Sequence, residues 1–423
     1  MLDLNVIRNE PDRVAAGLKR RGGGYNLDAI RKLDEDRRAL ITEGDELRSR
    51  RNVVSKEVGQ LKASGGDATQ QMAESKAIGE RIKEIESGLR DLDEALRLAL
   101  LMLPNVPADD VPDGTDANDN QIVKTVGKTP QFDFQPLPHW DVCEKLGILD
   151  MARAAKIAGS GFPLFVGQGA RLVRALMTWM LDVQTGQNGY TEVWPPSLVN
   201  PKTMTGTGQL PKFEEELYRL RDDDLYLIPT AEVPVTNLYQ DEILAETDLP
   251  MLRTAYTPCF RREAGAAGRD TRGMIRVHQF DKIEMVKFTT PETSPDEHEK
   301  LTRNAEDLIE RLGLPFRRVL LCAGDMGFSA GKCYDLEVYA AGCDRWLEVS
   351  SCSNFGDFQA RRANIRYRDG NGKVRFVHTL NGSGLALPRI FIAVVENFQQ
   401  ADGRICVPEV LRPYMGGTEF IGQ

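Results

Sequence analysis

Leucine and valine recur every seventh residue at Leu33, Leu40, Leu47, Val54 and Leu61. A seven-residue apolar repeat keeps one seam of a helix turned toward a partner helix, so this stretch predicts a long coiled-coil helix. A second series, Ile78, Ile82, Ile85, Leu89, Leu92 and Leu96, alternates spacings of four and three. Ser64, Gly65, Gly66 and Asp67 break the pattern between them, as the tip of a helical hairpin requires. Two helices of about 35 residues, each about 50 Å long, are expected to pair antiparallel as an arm over about residues 27–100. Arg37, Gly44 and Arg51 stand between the seam residues and leave the second core position poorly apolar. Two readings stay open: an oligomerisation or spacer arm, or an arm whose long basic side chains meet phosphates.

Residues 1 to about 21 read as a short basic helix punctuated at Asn9 or Pro11 and ended by Gly22 to Gly24. The proline-, aspartate- and glycine-rich run at 103–120 reads as a linker, dividing an N-terminal domain (1–102) from a larger one (121–423). In the latter, 169–187 and 297–312 read as helices and 190–193 as a strand. Adjacent strand-like segments between helices predict an α+β fold with a largely antiparallel sheet.

The net charge of −9 argues against diffuse nucleic-acid binding over the whole surface, while leaving room for a local basic face. No run approaches the roughly 18 apolar residues that span a bilayer, and the first residues lack a signal peptide's apolar core, so no membrane association and a cytoplasmic location are expected. Seven scattered cysteines without a Cys-x-x-Cys pair exclude a disulfide framework or zinc knuckle. The four histidines lack ligand spacing, so any metal is expected to be a hard cation held by oxygen.

Chemistry concentrates in residues 259–288, read as two strands joined by a long loop. Alternation with period two puts Arg261 with Glu263, and Arg276 with His278, Phe280, Lys282 and Glu284, on one face. Such charge is often only the solvated side of a sheet. The rings and the long loop favour a nucleotide site instead. Thr230 and Glu232 share a side if extended, suited to an ammonium group, with a buried helix cap at Thr230 as the plainer alternative. Glu337 and Glu348 lie in two strand-like stretches; with Ser351 they suit Mg²⁺ bridging phosphates. Residues 379–399 read as a glycine-bearing turn entering a helix with Arg389 in its first turns, a placement that favours an anionic partner. Pro195 and Pro196 mark a possible subunit edge. Phosphate-loop, dinucleotide, zinc-protease and serine-hydrolase motifs are all missing.

With these segments in view, the chain resembles the seryl-tRNA synthetases, class II aminoacyl-tRNA synthetases, along essentially its full length. The resemblance rests on MLDLNVIRNEPDRV at the start, the hairpin arm, TAE at 230–232, FRREAG at 260–265, GRDTRGMIRVHQFDKIEMV at 268–286, EVSSCSN at 348–354 and NGSGLAL at 381–387. It implies a serine–tRNA ligase that forms seryl-adenylate from L-serine and ATP and passes serine to tRNA(Ser), with tRNA(Sec) as a further acceptor. A homodimer and Mg²⁺ are implied with it. It places Arg261 on the α-phosphate, Glu263 at the adenine amine, the Val277 backbone and the Phe280 ring at the base, and Arg389 on the γ-phosphate. Arg261, Glu348 and Arg389 become the catalytic set. Glu348 and Ser351 become the metal-bridging pair, with Val349 and Ser350 lining ATP. Arg262 goes with the ATP-binding segment but has no job of its own, because the family varies there. Thr230, Ala231, Glu232, Glu284 and Ser383 become the serine set, with Glu284 near the hydroxyl. Pro388 departs from the glycine the family commonly carries before the third-motif arginine. The loop 264–273 is expected to order on ATP or the tRNA acceptor end. Two alternatives are a paralogue that loads an amino acid onto a carrier protein, and a non-catalytic RNA-binding regulator.

Overall fold

The computed structural model describes residues 1–264 and 272–422. These form two compact units, one of residues 2–19 and 23–103, the other of Met1, Arg20–Gly22 and the chain from Pro104 onward.

In the first unit, the basic N-terminal segment is two helices, α1 (Leu4–Asn9) and α2 (Pro11–Arg20). Pro11 opens α2, where its missing N–H costs nothing. Helix α3 (Leu27–Ala63) is capped by the Asn26 side chain, which accepts from the Ala29 N–H, and α4 (Thr69–Leu101) returns alongside it. Val54, Ile78 and Ile82 are buried between them, with Leu47 and Val58 packed on the cluster. Arg37 pairs with Asp93 across the hairpin, as Arg81 does with Glu43 and Arg48 with Glu86, and all of these side chains stay partly exposed. Arg51 remains exposed.

The second unit is built on an eight-stranded sheet in the order β1-β8-β9-β10-β13-β7-β6-β2. Its strands are β1 (Gln121–Val126), β2 (Thr191–Glu192), then, after short pairs β3 (Leu198–Val199), β4 (Tyr226–Leu227) and β5 (Ile243–Ala245), the long β6 (Met251–Phe260) and β7 (Gln279–Thr289). They continue with β8 (Phe316–Leu320), β9 (Lys332–Ala340), β10 (Arg345–Asn354), the small β11 (Arg366–Arg368) and β12 (Val374–Phe376), and β13 (His378–Ala386). Every pairing in the large sheet is antiparallel except β2 with β6. The helices are α5 (His139–Leu146), α6 (Met151–Ala158), α7 (Gln168–Gly186), α8 (Pro201–Thr207), α9 (Glu232–Thr236), α10 (Ser294–Arg311), α11 (Phe358–Ala363) and α12 (Leu387–Asn397).

Alternation along the central strands separates the two faces of this sheet. Ile283 and Met285 of β7, Leu336 and Val338 of β9, and Leu380 of β13 join α7, α10 and α12 in the main core. The intervening residues of these strands turn to the other face, where the cleft lies.

Four readings of local structure change. The glycines at 382 and 384 lie within strand β13, not in a turn; a β-carbon at Gly382 would stand 2.4 Å from the end of the Leu301 side chain, which would have to move. Residues 190–193 contribute only the two-residue strand β2. Residues 230–232 are not extended but turn into α9. The segment 104–120 is folded on the second unit: Val111 is buried with Val319, Leu321 and Phe355, and the Asn105 amide donates to the carbonyls of Ser329 and Phe355.

Candidate active site

A cleft of about 620 Å³ opens on the free face of the central strands. One end is a charged pocket. Thr230 precedes α9, and its Oγ1 accepts from the Glu232 N–H (3.1 Å) and from Lys282 Nζ (2.8 Å) while donating to Glu284 Oε2 (2.9 Å). Both the helix-entry role and the ligand-facing role of Thr230 therefore belong to the same hydroxyl. Lys282 and Glu284, two apart on β7, form a buried ion pair. Asn381 of β13 bridges the two carboxylates, donating to Glu284 Oε1 (2.9 Å) and Glu232 Oε2 (3.2 Å). Gln359 of α11 donates to Glu232 Oε1 at 2.6 Å, and its own oxygen accepts from Thr379 Oγ1. Burial, and then the neighbouring Glu284 charge, push the Glu232 carboxyl up to about 7, against the Gln359 hydrogen bond. Ser383 faces Glu284 across the β13–β7 ladder. Ala231 is fully buried and does not line the cleft.

Along the cleft the residues become cationic and aromatic. Arg261 follows the last residue of β6, so its position comes from the hairpin's exit and not from strand alternation: its N–H donates to the His278 carbonyl (2.9 Å) and its Nε to the Pro229 carbonyl (3.3 Å). Its guanidinium stands 5.1 Å from the Phe280 ring centroid. Glu263 has a left-handed backbone (φ 52°) and pairs with Arg276. Val277 lines the cleft, whereas His278 does not and packs on Phe162. Arg262 also lies off the cleft; its N–H donates to the Glu216 carbonyl and its guanidinium to the Glu215 carbonyl. Residues 265–271, most of the loop assigned a sensing role, lie outside the described residues.

Glu348 and Ser351 are three apart and would face opposite ways in a regular strand. The β9–β10 ladder shifts register between Glu348 and Ser350, a bulge that absorbs one residue and brings both side chains to the cleft. Ser350 then turns inward, and its hydroxyl donates to the Ser383 carbonyl (2.6 Å). Val349 is buried at the cleft floor. Glu337, opposite Glu348, is not available as its metal partner, because it pairs with Arg317 of β8. Asp335, opposite Ser351, is a further carboxyl there; burial and the charge of Glu348 hold it well above the usual carboxylate range, against a hydrogen bond from Ser351. Glu348, Ser351 and Asp335 offer oxygen only, the donor set of a hard divalent cation. Arg389, in the first turn of α12, donates from Nη1 to the Glu348 carbonyl (2.8 Å) and carboxylate (3.2 Å). Pro388 sits beside it in the same first turn, which tolerates proline.

Reading the sequence missed Gln359, Asn381 and Asp335. Lys282 was placed on the correct face but given no role. Its parity with Glu284 was the available signal; the others are joined to the site only by folding.

The description "Seryl-tRNA synthetase N-terminal domain" matches residues 1–107, and "tRNA synthetase class II core domain (G, H, P, S and T)" matches residues 212–398. The chain is 54% identical over 422 residues to a serine–tRNA ligase of Pelotomaculum thermopropionicum and 53% identical over 423 residues to that of Geobacillus kaustophilus, each covering 100% of both chains. Among solved structures it is similar to seryl-tRNA synthetase from Pyrococcus horikoshii complexed with ATP (TM-score 0.94, 39% identity, 100% of this chain and 99% of that one). It is also similar to the cytoplasmic enzyme of Naegleria fowleri in complex with AMP (TM-score 0.90, 30% identity, 100% and 98%). On these matches, and on a cleft built across an antiparallel sheet, the chain belongs to the seryl-tRNA synthetase family.

Proposed function

We propose that the cleft activates L-serine with ATP and transfers it to tRNA, the serine–tRNA ligase reaction. The observation that carries the assignment is the charge order along one sheet face. Two buried carboxylates, Glu232 and Glu284, bridged by Asn381, stand at one end with Lys282 paired to Glu284, and Arg261, Phe280 and Arg389 follow. With Lys282 paired to Glu284, the Glu232 carboxylate, once ionised, is left for the serine ammonium. Glu284, with Thr230, faces the serine hydroxyl, and Ser383 closes the pocket.

Arg261 takes the α-phosphate, Phe280 stacks on adenine, Glu263 meets its amine after leaving Arg276, and Arg389 takes the γ-phosphate. The serine carboxylate attacks the α-phosphorus, pyrophosphate leaves, and a terminal ribose hydroxyl of tRNA(Ser) then takes the seryl group with release of AMP. Catalysis is positioning plus electrostatic stabilisation of the phosphates. Mg²⁺, held by Glu348 and Ser351 with Asp335 beside them, would supply neutralisation of phosphate charge. Residues 1–102 serve as the tRNA-binding domain, with the arm of α3 and α4 gripping tRNA, and 121–423 as the catalytic domain. The molecule acts as a cytoplasmic homodimer. Trp194, 77% exposed beside the edge strand β2, supports that edge as the subunit contact.

Serine-dependent exchange of pyrophosphate into ATP tests the reading. Arg261→Ala should abolish it, and exchange driven equally by threonine or alanine would overturn it.

A further inference from the structure

His139, Cys343 and Glu396 converge outside the cleft, with ligand-type atoms all within 4.8 Å of one another. A metal centre is the first reading of such a cluster, but the hydrogen bonds already account for it. The Met274 N–H donates to His139 Nε2 at 3.1 Å. Because an amide can only donate, Nε2 is bare and the ring proton sits on Nδ1, where it donates to Glu396 Oε1 (2.8 Å). The same carboxylate accepts from the His139 and Cys343 N–H groups, the Gly342 N–H (each 2.9 Å) and the Cys343 thiol (3.1 Å). Its demand for donors leaves no lone pair to spare for a cation, and it fixes the tautomer of His139. Those bonds hold the Glu396 carboxyl below its usual range although burial works the other way.

The imidazole is also a seat. A β-carbon on Gly273, which has φ +68°, would stand 2.1 Å from Nε2. Arg272 lies over the Trp140 ring, 4.6 Å from its centroid. The chain entering β7 is thus held at Met274 by the first turn of α5. One residue on, the Ile275 carbonyl accepts from Arg389 Nε at 3.4 Å. Arg389 and Glu396 are two turns apart on α12, about 10 Å along its axis. The same helix therefore fixes consecutive residues of this segment, directly at Ile275 and through His139 at Met274.

From this we infer that His139, locked by Glu396, is a positioning residue of the nucleotide site: its Nε2 anchors the segment that delivers Arg276, Val277 and Phe280 to the cleft, and ties it to the helix bearing Arg389. The inference rests on the cleft's binding ATP, and it requires nothing of the amino acid.

Two substitutions in the full-length protein divide the relay. H139N keeps a donor for Glu396 and loses the acceptor for Met274; H139Q reaches Met274 with its oxygen. Calorimetric titration with Mg–ATP should show H139N weakened about tenfold, one hydrogen bond's worth, and H139Q within about threefold of the parent. The serine KM in pyrophosphate exchange should move less than about twofold in either. Equal ATP affinity in all three proteins, an equal loss in ATP and serine binding, or one zinc per chain in the purified protein would overturn it. Should H139N not fold, the ¹⁵N shifts of the parent imidazole decide: an Nε2–H tautomer overturns the relay. Failure of serine to drive exchange would sink the proposed reaction while leaving the ATP titration to judge His139.

Discussion

Arg389 and Glu348 hold each other across the cleft, with Nη1 of the arginine 3.2 Å from the carboxylate and 2.8 Å from the same residue's carbonyl. Each occupies the group the other would give to substrate, arginine to phosphate and carboxylate to the cation. In the proposed reaction Mg–ATP would exchange this pair for two new ones. The carbonyl contact would keep Arg389 in place during that exchange.

Glu348→Gln should separate these roles, because Arg389 keeps its carbonyl acceptor while the cation loses a charged ligand. The Mg²⁺ concentration that half-saturates pyrophosphate exchange is expected to rise about tenfold or more. An unchanged Mg²⁺ dependence would remove Glu348 from the metal site.

If Glu232 receives the serine ammonium as proposed, serine binding should depend on pH. Its carboxyl is pushed up to about 7, so between the ordinary carboxylate range and pH 7 the empty pocket holds a proton there. A serine ammonium docked there would favour the carboxylate, so binding should expel that proton. Serine KM should be flat above pH 7 and climb about tenfold per unit on the acid side. Gln359→Leu removes the hydrogen bond that favours ionisation and should move the break upward. A break that stays put in the variant would show that Gln359 does not tune the carboxyl.

The arm offers a test of the division of labour. Ile82 is 4% exposed in the α3–α4 seam, and an unpaired carboxylate there is expensive to bury. Ile82→Asp is expected to reduce helicity by circular dichroism and to remove tRNA charging, leaving serine-dependent pyrophosphate exchange nearly intact. Loss of both activities together would refute separate roles for the two units.

Legibility of the sequence followed the range of the interactions. Heptad spacing and the Gly65–Gly66 break are local, and the helices end at Ala63 and Leu101 within a few residues of where the pattern stops. Parity in β7 likewise puts Phe280 and Lys282 on the cleft, with Glu284 buried just behind it against Thr230 and Asn381. It failed at His278, which turns off the cleft; Arg261, Glu263, Thr230 and Glu232 do line it, but by the exit from β6 and the turn into α9, not by strand alternation. The facing of Glu348 and Ser351 depends on a bulge that only pairing with β9 reveals. Gln359 reaches Glu232 across 127 residues of chain, and His139 reaches Met274 across 135; neither leaves a spacing to read.

Acid should unfold the catalytic unit partly through His298. The ring is buried on α10 beneath the sheet, donates from Nε2 to the Cys352 carbonyl at 2.8 Å and lies 5.1 Å from the Tyr334 ring. Burial lowers its pKa to about 4, despite that hydrogen bond. The unfolded chain takes up a proton near pH 6.5, which the folded chain refuses until about pH 4. Stability from this site is therefore complete above pH 6.5 and falls as pH drops, by about 1.4 kcal/mol per unit and about 3 kcal/mol in all. His298→Gln keeps a donor and cannot titrate. It should cost some stability at pH 7.5 through imperfect packing, yet lose less than the parent between pH 7 and 5. Melting temperatures measured for both proteins across that range decide, since every other titrating group is shared. Parallel curves would mean that His298 is not a source of the acid lability.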